Sequence, residues 1–149
     1  MKDVQYIKGN RKSLIALILF LVCWILIGVM VKQYREIRIE EINQIQDVTV
    51  LMQEMRSVHV LTVILPGVLF FAIITALSAY IGFLTLKQKQ YPPTGIHLPF
   101  KTELVKGEKA KSSSYGYLFS ACISLIMIFL ISVSWIVIEK ICSSVLIGG

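Results

Sequence analysis

Residues 60–86, VLTVILPGVLFFAIITALSAYIGFLTL, run for 27 positions without one charged side chain. Wound as an α-helix they would extend about 40 Å, more than the ~30 Å hydrocarbon core of a bilayer. So long an apolar run predicts a membrane-crossing helix that tilts or kinks to fit. Pro66 is the expected kink point, because it removes one backbone donor and its ring clashes one turn back. Two further charge-free blocks flank this one, 19 residues at 13–31 and 24 residues at 115–138. The expectation is an all-α membrane protein, a three-transmembrane-helix bundle with a helical outer loop (32–59) and a second loop (87–114), in a single domain over 1–149.

Composition excludes the water-soluble alternative. Of 149 residues, 56% are hydrophobic and 16% charged, where soluble domains carry about 25% charged residues. A chain this short has too little interior to hide three such blocks. Lys2, Lys8, Arg11 and Lys12 before the first block resemble the charged start of a secretion signal. Its apolar stretch, however, exceeds the ~7–15 residues of a signal core, and no small-x-small cleavage site follows. An uncleaved anchor is expected.

Basic residues set the orientation. The N-terminal tail and the second loop hold ten Lys and Arg together, against five in the first loop and the C-terminal tail. The positive-inside rule then places the N-terminus and second loop in the cytoplasm and the C-terminus outside. Three spans with short tails suit a bacterial inner membrane, with a periplasmic C-terminus. The net charge of +6 is thus a topology signal. Its residues flank spans and form no separate domain, so no nucleic acid is expected. Tyr34, Tyr91, Tyr115, Tyr117 and Trp135 fall near span ends, where amphipathic rings settle at headgroup level.

The two loops differ in pattern. The first has no Gly or Pro, and Tyr34, Ile37, Ile42, Ile45, Val48, Met52 and Met55 recur near one helical face, with Arg35, Glu36, Glu40, Asn43, Asp47 and Glu54 opposite. It reads as helix continuing from the first span, turning near Asp47–Val50 and entering the second. The stripe joins one helical arm to the other, docks another protein, or lies as an interfacial helix on the outer leaflet. In the second loop, Pro93 and Gly95 fit the second and fourth positions of a type I turn. Phe100, Thr102 and Leu104 then alternate with Lys101, Glu103 and Val105 as a short strand, Lys106-Gly107 reads as a turn, and Lys109 to Ser114 as a solvated approach to the third span. This loop is either a polar connector or a small rigid platform for a cytoplasmic partner or anionic lipid. Tyr91, Pro92, Pro93, Gly95 and Phe100 are its candidate partner-binding residues.

The string YPPTGIHLPFKTELVKGEKA, residues 91–110, resembles a cytoplasmic loop in uncharacterised small bacterial integral membrane proteins. The shared pattern is an aromatic, two or three prolines and a glycine, then a Thr-x-Val/Leu-x-x-Gly segment. Tyr91, Pro92, Pro93, Gly95, Thr102, Leu104 or Val105, and Gly107 match it, and Thr94 departs where a third proline is common. The resemblance covers about 20 residues and implies no activity.

Chemistry has few places to sit. The three blocks contain no Asp, Glu, Lys, Arg or His, the groups that pumps and proton relays place in their spans. His59 and His97 are expected on opposite sides of the membrane, so one site cannot use both. Cys23 and Cys122 should fill space as small apolar groups, and Cys142 lacks a partner in its own chain. No catalytic, metal or cofactor-binding residue is expected. Small residues suggest where helices meet: Ala72, Thr75, Ala76, Ala79 and Gly82 share a face in the second span, and Gly116, Ser120 and Ser124 repeat every four in the third. The function expected is a non-enzymatic accessory, assembly or scaffold subunit that contacts membrane lipid and a protein partner. The alternative is a homo-oligomeric transport or holin-like pore subunit lined by Ser120, Ser124, Ser132 and Ser134.

Overall fold

The computed structural model of the chain describes residues 5–147, with the side chains of 142 and 145–147 excepted. It is 78% helical. A strand β1 (Tyr6–Ile7) precedes helix α1 (Arg11–Ile42), which is followed by α2 (Val48–His59), a π-helical turn (Val60–Ile64) and α3 (Leu65–Gln88). Then come β2 (Gln90–Tyr91), β3 (Thr102–Glu103), β4 (Val105–Lys106) and α4 (Glu108–Ile147). The fold is an all-α three-helix bundle with a helical first loop. Three helical segments, Arg11–Ile42, Val48–Gln88 and Glu108–Ile141, are long and apolar enough to cross a membrane.

Local chemistry explains the helix boundaries. Asn10 caps α1, its Oδ1 accepting from the Lys12 N–H at 2.8 Å. The chain turns through 43–47, and Asp47 ends that turn by accepting from the N–H groups of Thr49 (2.8 Å) and Val50 (3.3 Å). Carboxylates suit this position because the first helical N–H groups lack intrahelical acceptors. Pro66 does not act alone as a kink in a regular helix. A π turn lies directly before it, with the Leu65 N–H bonded to the Val60 carbonyl five residues back. The Thr62 hydroxyl takes up the Val58 carbonyl at 2.6 Å. A wider turn leaves room for the proline ring where an α turn would bring a carbonyl against it.

The chain forms two compact units, Met1–Ile25 with Ile73–Ser124, and Leu26–Ala72 with Leu125–Gly149. In the first, α3 and α4 meet so closely that a Cβ on Gly82 would lie 3.1 Å from the Leu118 side chain. The buried Ser114 hydroxyl donates to the Gly82 carbonyl at 2.7 Å. Gly82 and Thr85 are buried on α3, and Ala110, Ser114, Ala121 and Ser124 on α4. Thr75 and Ala79 are half-buried, whereas Ala72 and Ala76 are exposed. Gly116 is exposed, with open space where its Cβ would be, and Ser120 is half-buried. The expected stripe on α4 is therefore corrected. Positions four apart drift around a helix, whereas Ala110, Ser114, Tyr117, Ala121 and Ser124 alternate steps of four and three and stay on one seam. Ser114, expected in a solvated approach, is consequently core, in a helix that has begun at Glu108.

In the second unit, Ile42 and Val58 are buried, and Ile45 and Met52 are half-buried. Tyr34, Ile37, Val48 and Met55 of the expected stripe remain exposed. Glu54 is not on a solvent face: it pairs with Arg38 of α1, which also holds Glu41. Arg56 pairs with Glu139 of α4 and lies over the Trp135 ring at 4.9 Å. Gly67 gives way to Ile131, whose Cδ1 would be 2.9 Å from an added Cβ.

Much apolar surface stays uncovered. Ile42 is the only buried residue of α1, and Met30 is 68% exposed. Water would not tolerate a continuous patch of that extent. Such faces are lipid-contacting surfaces. Cys23 and Cys122, expected to fill space, are both exposed on them. Lys2 and the Cys142 side chain lie outside the described residues.

Candidate functional site

The second loop is built mainly by backbone pairing. β1 runs antiparallel to β3, with Tyr6 opposite Glu103 and Ile7 opposite Thr102. β2 runs antiparallel to β4, with Gln90 opposite Lys106 and Tyr91 opposite Val105. Flanking bonds extend the first ladder: the Leu104 N–H donates to the Gln5 carbonyl at 2.8 Å and the Asn10 N–H to the Leu98 carbonyl at 2.9 Å. Gly9 allows this approach, since a Cβ there would lie 2.7 Å from the Pro99 carbonyl oxygen. The alternating pattern at 100–105 thus splits into two short strands with different partners.

Turn geometry differs from the sequence expectation by one residue. The Ile96 N–H donates to the Pro93 carbonyl at 3.2 Å, so Pro93 opens the turn and Gly95 occupies its third position. Its φ of 89° is the value a type II turn demands there, and one that glycine adopts without strain. The Gln88 Oε1 accepts from the Thr94 N–H (2.6 Å) and hydroxyl (2.8 Å), tying the turn to the end of α3.

Of the five residues expected to meet a partner, Tyr91 is half-buried, its hydroxyl 2.7 Å from that of Tyr117 on α4. Pro92 and Pro93 are fully buried within this chain, which removes them as direct contacts. The Tyr91–Pro92 peptide is cis. Gly95 and Phe100 are exposed, Phe100 to 62%. The ladder adds a neighbour that sequence reasoning missed: Tyr6, 56% exposed, with the Lys101 ammonium 4.4 Å from its ring centre. Two β-formers at Tyr6–Ile7 just ahead of Gly9 were the available signal.

In the second unit, a cavity of about 310 Å³ is walled by Ile39, Ile42, Leu51, Val58 and Val63, with Arg35, Asn43, His59 and Thr62 among its polar groups. His59 Nε2 is buried without a hydrogen-bond partner. His97 is exposed in the second loop. Among the described residues no group of three or more His, Cys, Asp or Glu side chains is placed to hold a metal ion. Three of the four α4 serines expected as a lining donate to their own helix: Ser124 to the Ser120 carbonyl at 3.0 Å, Ser132 to Ile128 at 2.9 Å and Ser134 to Ile131 at 2.6 Å.

No protein-family model, curated protein or solved structure matches this chain.

Proposed function

We propose that this chain is a non-enzymatic accessory, assembly or scaffold subunit that binds a larger membrane protein through its second loop. The bacterial inner membrane is its location, with the N-terminus and second loop cytoplasmic and the C-terminus periplasmic. The observation that carries this reading is the ladder tying Gln5–Asn10 to 98–104, which presents Phe100 and Tyr6 on a backbone that is already ordered. Preorganised aromatic side chains lose little entropy on binding, which favours recognition. The buried prolines support the platform from within. Ser124, Ser132 and Ser134 donate their hydroxyls to carbonyls of their own helix, which makes a poor lining for the alternative, a homo-oligomeric transport or pore subunit.

Two experiments test the proposal. Extraction in mild detergent followed by native mass measurement should give a complex with a stoichiometric foreign chain, lost on Phe100→Asp. A ring of identical chains would favour the pore, and a lone monomer would overturn both. For orientation, a reporter active only in the periplasm should work fused after Lys140 and fail at Glu108. The reverse pattern would sink the cytoplasmic assignment of the platform.

A further inference from the structure

The cavity of about 310 Å³ in the second unit takes apolar walls from both arms of the first loop, Ile39 and Ile42 from α1 and Leu51, Met55 and Val58 from α2. All five lie outside the three charge-free blocks, where no hydrocarbon of the bilayer covers them. Apolar walls that would otherwise meet water favour apolar ligand atoms. A volume of about 310 Å³ stands at the small end of ligand pockets, which reach about 1,000 Å³, so the space suits one acyl chain better than two.

Charge in this loop is distributed unevenly. Of its four Lys and Arg, Lys32 pairs with Glu36, Arg38 with Glu41 and Glu54, and Arg56 with Glu139. Among the described residues, Arg35 is the one cation of the four that joins no ion pair, and it lines the cavity. The loop also carries five acids, Glu36, Glu40, Glu41, Asp47 and Glu54, and none of them contributes to the lining, whereas Asn43, His59 and Thr62 do.

Apolar walls, one uncommitted guanidinium and no carboxylate are complementary to a chain with an anionic head. We propose that this cavity binds a single-chain anionic amphiphile, an acyl chain ending in a carboxylate or a phosphate monoester, whose head pairs with Arg35. A guanidinium presents paired N–H donors that match the oxygens of either head. A free fatty acid or a lysophospholipid can supply this chemistry. The inference is independent of whether Phe100 contacts a protein.

The full chain in phosphatidylcholine nanodiscs, at about pH 8 where carboxylates are ionised, provides the test. Decanoic acid bearing a photoreactive diazirine is crosslinked to the protein, and the labelled peptides are mapped by mass spectrometry. Lysophosphatidic acid with the same photoreactive chain forms a second arm, and the matching alcohol and trimethylammonium compounds are controls. Normalised to labelling of α4, at least one anionic probe should mark residues 35–63 about tenfold more than either control. Arg35→Gln should reduce that labelling to the level of the alcohol, and Arg35→Lys should retain most of it. Leu51→Phe, which narrows the cavity, should reduce it while leaving the melting temperature unchanged. Lys32→Gln removes the same charge one turn away from the lining and should have no effect. Labelling by the decanoic acid probe alone assigns a fatty acid, by lysophosphatidic acid alone a lysophospholipid, and by both a site open to either head. Equal labelling by the alcohol or the ammonium compound overturns the proposal, because the cavity is then only an apolar recess. Absence of labelling at 35–63, labelling that survives Arg35→Gln, or an equal loss in Lys32→Gln overturns it as well.

Discussion

The two loops hold themselves together by different means. In the first, side chains make the joins: Arg38 of one helical arm on Glu54 of the other, Ile42 and Val58 buried, and Arg56 on Glu139 and over Trp135 of α4. In the second, backbone joins backbone, through β1 with β3, β2 with β4, and Gly107 with Lys89. Side-chain contacts are easily traded one for another and respond to salt. A backbone ladder tolerates most changes of side chain and fails where a residue has no room for one. The second loop can therefore change its exposed side chains without losing its fold.

The largest effect is expected where the seam beneath the second loop leaves no space. Gly82→Leu would drive a side chain into Leu118 and the Tyr117 Cβ and should cost about 3 kcal/mol. Thermal unfolding in detergent measures it, and a shift no larger than that of Gly116→Leu, at an open position, would break the assigned seam. Next is Gly9→Val, at about 2 kcal/mol, because its neighbours are backbone atoms of Pro99 and Phe100 that cannot swing aside. Hydrogen exchange should then quicken at the Asn10 and Leu104 amides while the amides of α2 keep their protection. Spread of the effect into α2 would show that the loops do not behave separately.

Smaller effects sharpen the same contrast. Glu54→Gln should loosen the arms by about 1 kcal/mol, modest because the Arg38–Glu54 pair is about one-third exposed. Raising salt to about 1 M should reproduce part of that loss in the first loop and leave the ladder untouched. Least of all is Ser114→Ala, about 0.6 kcal/mol, the typical worth of one interhelical hydrogen bond in a membrane. A cost several times larger would mean that this bond, more than the fit of Gly82, holds α3 to α4.

Much of this molecule is legible in the sequence. Charge-free blocks mark three helices because a bilayer interior admits little else, and Asp47 marks the start of α2 through its carboxylate. The seam on α4 is harder to read, since small residues every four are common while the real contact alternates three and four. Burial of Ser114 and Ala110 was hidden by the basic residues beside them, Lys109 and Lys111, which occupy the other faces of the same helix turn. The π turn depends on how Pro66 and the Val58 carbonyl are jointly satisfied, which no local pattern announces. Tyr6 pairs with a residue nearly a hundred positions away, and such a partnership leaves no periodic trace. For that reason Phe100 was found and its neighbour was not.

That long-range pairing also bears on how the protein is made. Tyr6 leaves the ribosome long before Glu103 exists, so the N-terminal strand must wait unpaired while α1, α2 and α3 are synthesised. β1 and β3 join only if both reach the same side of the membrane, a condition that a misthreaded span breaks. The ladder therefore closes only in a chain whose residues 5–10 and 98–104 have come to the same side, and a chain in which they have not keeps both strands unpaired.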